Sequence, residues 1–205
     1  MVILRPIALA TEDALSEAVG QRLINELSLP VQIEPLLRKN GFGYLQSKMS
    51  NWCQLAQQQP VVIITDLDKL ACPKTLLDAW YGKLARPENL IIRIAVREVE
   101  SWLLADHKAM RNLLGEKGKL PAEPDTLFDP KQQLLKLALS AKRDIRADLV
   151  KKTGSVASQG IGYNARLTEM VANDWSPERA AQLSPSLRKA RCRLNQLGIR
   201  LRQNN

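Results

Sequence analysis

The sequence predicts an α/β fold: a mostly parallel, Rossmann-like sheet of about four strands flanked by helices over residues 1–114, then a basic α-helical region over 115–205 packed on it. Three observations predict it. The run Val61-Val62-Ile63-Ile64 is wholly β-branched, and a short continuous apolar run reads as a strand buried on both faces, as in a parallel sheet. Strand and helix patterns alternate from the N-terminus to about Leu114, which calls for right-handed crossovers. Beyond Leu114 the strand patterns stop and the charge changes. Residues 1–106 hold 11 Lys/Arg and 12 Asp/Glu, and residues 107–205 hold 19 and 9, which accounts for the net charge of +9.

Taken in order, Val2 to Ala10 reads as the first strand, interrupted by Pro6, which suits an edge position or a bulge. Thr11 is the expected N-cap of a helix over 12–27, with Leu15, Val19, Leu23, Ile24 and Leu27 at helical spacing. Glu12 and Asp13 then fall in its first turn, where acids favour the positive end of the helix dipole. Val31 to Leu36 is the second strand. The stretch Lys39 to Tyr44 is a loop whose Gly-x-Gly is too weak to mark a phosphate site. It opens a helix over 45–58 with Leu45, Met49, Trp52, Leu55 and Ala56 as core. Pro60 starts the central strand. A turn at Ala71-Cys72-Pro73 leads to a helix through Leu76, Leu77 and Trp80, and Leu90 to Val96 is the fourth strand. Arg97 to Asp106 passes from strand end to short helix.

In the second half, Gly115 to Pro130 reads as a long loop, Lys131 to Leu139 as a helix, and Ala141 to Lys152 as a basic helix. Thr153 to Gly162 reads as a flexible loop. Tyr163 to Ala172 is helical, and so is Ser184 to Leu197, with Ser184 as N-cap and Pro185 at the first position. No strand and no internal repeat is expected here.

Composition excludes several chemistries. Cys53, Cys72 and Cys192 are scattered, with no pair at zinc spacing, as in a reducing compartment. His107 is the only histidine, and nothing around it suggests a catalytic triad or a Cys-His pair. No stretch approaches the ~20 apolar residues of a membrane span, and no leader is visible, so a cytoplasmic protein is expected. Any catalysis should rest on carboxylates.

Those carboxylates gather at strand ends. Asp66 and Asp68 follow the central strand at i, i+2, so their side chains start on one side of an extended chain. Ligands of open α/β sheets bind beyond the carboxyl ends of strands. Glu12 follows the first strand, and Glu98 and Glu100 follow the fourth. Crowded carboxylates stay ionised only beside a cation. Glu12, Asp66 and Asp68 are therefore candidate ligands of Mg²⁺ or Mn²⁺, with Glu98 or Glu100 completing the shell or serving a second metal. The local alternatives stay open: Asp66 or Asp68 capping a turn, Glu12 serving the helix dipole, and Glu98 and Glu100 as acids at a helix start. The basic half suggests a polyanionic partner or a plainly solvated surface. Lys142, Arg143, Arg146, Lys151, Lys152, Arg188 and Lys189, with Arg191 and Arg193, are the candidate nucleic-acid contacts. Lys69 is either a phosphate contact or an exposed lysine after a turn.

A glutamate after the first strand, a helix, and a later Asp-x-Asp at the end of a buried strand together resemble the Toprim domain of topoisomerases, bacterial primases and OLD-type nucleases. The resemblance implies a Toprim-like sheet and divalent-metal phosphodiester chemistry. It places Glu12 as the Toprim glutamate and Asp66 and Asp68 as its Asp-x-Asp. Asp13 departs from the glycine that commonly follows the Toprim glutamate. More narrowly, Arg97 to Asp106, Gly162-Tyr163-Asn164 and Ser184-Pro185-Ser186-Leu187 resemble a little-characterised set of small bacterial Toprim-like proteins, domain-of-unknown-function family 4276, some of which sit beside ATPases in phage-defence loci. The resemblance implies a metal-dependent nuclease acting on DNA or RNA, serving phage defence and working with an ABC/OLD-type ATPase. The alternative is a non-catalytic module that docks nucleic acid or the ATPase.

Overall fold

The computed structural model describes residues 5–27, 29–38, 43–153 and 156–203. Val2 to Leu4 of the expected first strand, the loop Lys39 to Phe42, and Gly154 and Ser155 lie outside the described residues, as do the side chains of Lys152 and Thr153. The chain divides into two compact units, residues 1–94 with 189–205, and residues 95–188. Position 114, where the sheet pattern was expected to give way, falls inside the second unit.

The first unit is the sheet. Its strands are β1 (Arg5–Thr11), β2 (Val31–Arg38), β3 (Val61–Asp66) and β4 (Leu90–Ala95). They run in the order β2-β1-β3-β4, all parallel, as the apolar runs predict. Ala8, Leu9 and Ala10 pair with Val61, Val62 and Ile63. Residues 61–64 of β3 are fully buried, which is why this stretch carries no alternating polar residue. Pro6 was expected at an edge or a bulge. β1 is interior, but Pro6 precedes its pairing with β3, and a register shift falls between Ile7 and Leu9 on the β2 side. A missing N–H is tolerated at such a place.

Helix α1 (Ala14–Ile24) returns the chain from β1 to β2. Its expected apolar residues Leu15, Val19, Leu23 and Ile24 are all buried. Gly20 lets it lie close to the sheet: a Cβ there would sit 2.8 Å from Leu9 Cδ1 and 3.3 Å from Ile64 Cγ1. The N-cap is Asp13, not Thr11; its carboxylate accepts from Ser16 N at 2.7 Å. Thr11 instead ends β1, paired with Arg38. The helix expected over 45–58 is two pieces, α2 (Tyr44–Ser47) and α3 (Met49–Leu55), broken at Lys48. Helix α4 (Pro73–Tyr81) begins with Pro73 at its first position.

The second unit is mainly helical: α5 (Val99–Leu104), α6 (His107–Leu114), α7 (Pro130–Ala138), α8 (Arg143–Leu149), α9 (Tyr163–Asn173) and α10 (Pro177–Leu183). Helix α11 (Pro185–Gln203) starts here, and Ser184 Oγ accepts from Leu187 N at 3.1 Å, so the expected cap holds. The strand-free expectation fails at one place. β5 (Val150–Thr153) and β6 (Val156–Gln159) pair antiparallel where a helix end and a loop were expected. The β-branched Val150, Thr153 and Val156 favour extended backbone. Gly160 permits the closure: a Cβ there would lie 2.3 Å from the Asp148 carbonyl oxygen. Among the described residues no helix is long and apolar enough to cross a membrane.

Candidate metal centre

Strand order fixes where the first unit can bind. From β1 the chain crosses to β2 on one side, then to β3 on the other. The carboxyl ends of β1 and β3 therefore flank a topological switch point, where open α/β sheets leave a crevice. Glu12 is the residue after β1, Asp66 is the last of β3, and Asp68 follows two residues on.

Because Asp13 is the N-cap, Glu12 lies before the helix. The helix-dipole reading of Glu12 passes to Asp13, whose side chain serves the helix end directly. Glu12 is half-buried. Burial pushes its carboxyl above the ordinary 4.5, and the Asp68 carboxylate pushes it further; the Thr65 hydroxyl opposes, and Asp13 adds a smaller push upward. Thr65 Oγ1 lies 3.4 Å from Glu12 Oε1 and 3.5 Å from the Asp66 carbonyl oxygen. Asp66 is half-buried at the strand end and Asp68 is exposed. Extended backbone stops at Asp66, because Asp68 has φ of +51°. Aspartate tolerates that left-handed conformation better than most residues, but it is uncommon outside glycine. The i, i+2 alternation therefore does not by itself set the direction of Asp68; the turn does, and it brings Asp68 within electrostatic reach of Glu12.

Among the described residues no group of three or more His, Cys, Asp and Glu is gathered to hold a metal ion. Glu12 and Asp68 are a pair of acids within electrostatic reach of each other. Mg²⁺ is commonly held by one or two carboxylates and completes its octahedron with water and substrate phosphate. The oxygen-only donor set at Glu12 and Asp68 fits that mode, and Asp66 is the adjacent third acid.

The second unit holds the other expected acids. Glu98 precedes α5, and its Oε2 accepts from Lys131 N at 3.0 Å, in the first turn of α7. Glu100 is buried, at 5% exposure. The Tyr163 hydroxyl donates to its Oε1 at 2.8 Å, and Lys131 Nζ lies 5.2 Å from the centre of the Tyr163 ring. Burial, and then the Glu98 carboxylate, push Glu100 up to about 7 against the pull of Lys131 and Tyr163. Asp106 has a structural role: it caps α6 through Ala109 N and takes a two-pronged bond from Arg179 at 2.9 and 2.7 Å.

The expected cationic contacts divide. Lys69, Lys142, Arg143, Arg146, Lys151, Arg188 and Lys189 are exposed. The Lys152 side chain lies outside the description. Arg191 does not face solvent freely: its Nε donates to Glu26 Oε2 at 2.9 Å.

The family model for Domain of unknown function (DUF4276) matches residues 10–195. The chain belongs to that family. No curated protein and no solved structure matches it. The DUF4276 match takes in every candidate from Glu12 to Lys189.

Sequence reasoning passed over several of the partners that shape these sites in DUF4276. Thr65 is one, although it stands directly before Asp66. Lys131 is another, and only the fold brings it to Tyr163. Tyr163 itself was visible only as the centre of Gly162-Tyr163-Asn164, with no hint that it reaches Glu100.

Proposed function

We propose that this chain is a divalent-metal-dependent nuclease of Toprim-like class, with Glu12, Asp66 and Asp68 as its metal-binding and catalytic carboxylates. One observation carries the reading. Glu12 and Asp68 stand just past the carboxyl ends of β1 and β3, at the switch point of a parallel sheet, near enough for the Asp68 charge to act on Glu12, and no cation among the described residues bonds Glu12. The Glu12 carboxyl, whose protonation burial and then the Asp68 charge favour, is stabilised in its ionised form by a bound cation.

Bound there, Mg²⁺ or Mn²⁺ would polarise a phosphodiester and lower the pKa of a water nucleophile. The chain's own residues do the rest. Glu12 and Asp68 would hold the ion from two strand ends. Thr65 orients the Glu12 carboxylate through its hydroxyl. Asp66, the last residue of β3, stands next to that pair and would act from there on the ion's water or on the substrate. Glu98 and Glu100 stay with the local structure that binds them, at Lys131 N and Tyr163. The proposal extends to a cytoplasmic role in phage defence with an OLD-type ATPase partner, which rests on the family resemblance.

The test is a cleavage assay on single- and double-stranded DNA and RNA with Mg²⁺ or Mn²⁺, with any natural ATPase partner added. Wild type should cut at least one substrate, and Asp66→Asn should lose that activity while keeping its fold. Metal binding without cleavage of any substrate, even with the partner, would reject the nuclease and leave a metal-binding module.

A further inference from the structure

Helix α8 separates its charges by face. Arg143, Arg146, Ala147 and the following Val150 stand at i, i+3, i+4 and i+7, which puts them on one side of a helix. Asp144 and Asp148 fall on the adjoining side and answer to Arg166 of α9. Arg166 donates to Asp148 Oδ2 through Nε at 3.1 Å and Nη2 at 2.5 Å, and Asp144 adds to the field that holds the guanidinium charged. The acids of α8 are thus turned toward a cation already in the fold. Arg143 and Arg146 are exposed and form no ion pair among the described residues.

The arginine face is concave. Leu139, Arg143, Arg146, Ala147 and Val150 line a groove of about 350 Å³. That is near the lower end of the ~300–1,000 Å³ of small-ligand sites. Its chemistry is two guanidinium groups over an apolar floor. Guanidinium forks suit phosphate oxygens. The apolar floor suits the face of a base, which a duplex keeps stacked and a single strand leaves free. Sequence-tolerant binding of single strands uses the same pairing of cations with an apolar platform.

We propose that this groove seats one nucleotide of a single-stranded nucleic acid, with its flanking phosphates on Arg143 and Arg146 and its base on Leu139, Ala147 and Val150. This deepens the nuclease reading by naming the strandedness of the substrate. Its test needs no metal, so the two can fail separately.

The experiment is fluorescence anisotropy of a labelled 12-nucleotide oligothymidylate, and its uridylate counterpart, with the full chain in EDTA at several salt concentrations. Three variants are compared with wild type: Arg143→Gln with Arg146→Gln, Arg143→Lys with Arg146→Lys, and a control of equal charge loss, Lys83→Gln with Lys108→Gln. The glutamine pair should weaken binding at least tenfold and lower the slope of log affinity against log salt by about 1.4, from two phosphates at ~0.7 each. The lysine pair should restore most of the slope, and the control should change affinity less than twofold. Absence of binding by wild type, equal loss in the control, or tighter binding of a duplex of the same length would each overturn the proposal.

Discussion

The Tyr163 hydroxyl reaches Glu100 across 63 residues of sequence and donates a 2.8 Å hydrogen bond to its buried carboxylate. The pair ties α5 to α9, and burial and then the Glu98 carboxylate keep Glu100 protonated against the opposing pull of Lys131 and Tyr163. Glu100 holds its proton up to about pH 7 in the folded chain, against an ordinary 4.5. A raised folded pKa means that the native state binds the proton more tightly than the unfolded state does. The stabilisation is therefore full below pH 4.5 and is lost as pH rises toward 7. The shift corresponds to something on the order of 3 kcal/mol. Denaturant titrations from pH 4.5 to 8 should show this decline, and Glu100→Gln should flatten it. Tyr163→Phe should cost about 1–3 kcal/mol at neutral pH by leaving a buried acceptor without its donor, and should move the end of the decline to higher pH.

Asp106 and Arg179 make a second long-range tie within the same unit. Asp106 is fully buried while Arg179 is 39% exposed. Arg179→Met should destabilise by about 2 kcal/mol, below the ~3–5 kcal/mol of fully buried pairs because the guanidinium is partly solvated. Chemical denaturation of the single variants and of the double variant with Asp106→Asn measures it, and the double variant should recover part of the loss.

Asp13 and Glu12 are neighbours with separable roles. Asp13→Ala removes a side-chain cap and should lower stability by about 1 kcal/mol. Glu12→Gln leaves that cap in place, and it relieves the repulsion from Asp68. In the absence of metal it should raise the melting temperature. Differential scanning calorimetry of the two variants in EDTA distinguishes them by sign.

Metal binding should also depend on pH. The Glu12 carboxyl titrates above 4.5, and a proton there competes with the cation. Mn²⁺ affinity should fall by about tenfold per pH unit below the raised pKa. Titrations at a series of pH values test this, and an affinity that does not change down to pH 4.5 would remove Glu12 from the site.

Much of the sheet was legible because one signal dominates it. Residues 61–64 have no polar side chain to place, so a strand buried on both faces was the reading that fits. Ser184 and Pro185 were legible for a local reason, since cap and first position are adjacent in sequence. The cap of α1 was not. Thr11 and Asp13 can both cap, and the choice depends on how far β1 pairs with β2, which is a tertiary fact. The β5–β6 hairpin was missed because Lys151 and Lys152 suit a basic helix, while the close approach of Gly160 to Asp148 that favours the hairpin is invisible in sequence. At the candidate centre the residue types could be read, but not the left-handed turn at Asp68 that decides which acids meet. Glu100 and Tyr163 could not be paired from sequence at all.

The proposed site needs Glu12 and Asp68 together to bind a divalent cation, and isothermal titration of Mn²⁺ into wild type, Glu12→Gln and Asp68→Asn at neutral pH reads that binding itself. Wild type should bind saturably and both variants should lose that binding, while Glu12→Gln melts higher than wild type in EDTA. Absence of binding by wild type, or undiminished binding by Asp68→Asn, would contradict the proposed site.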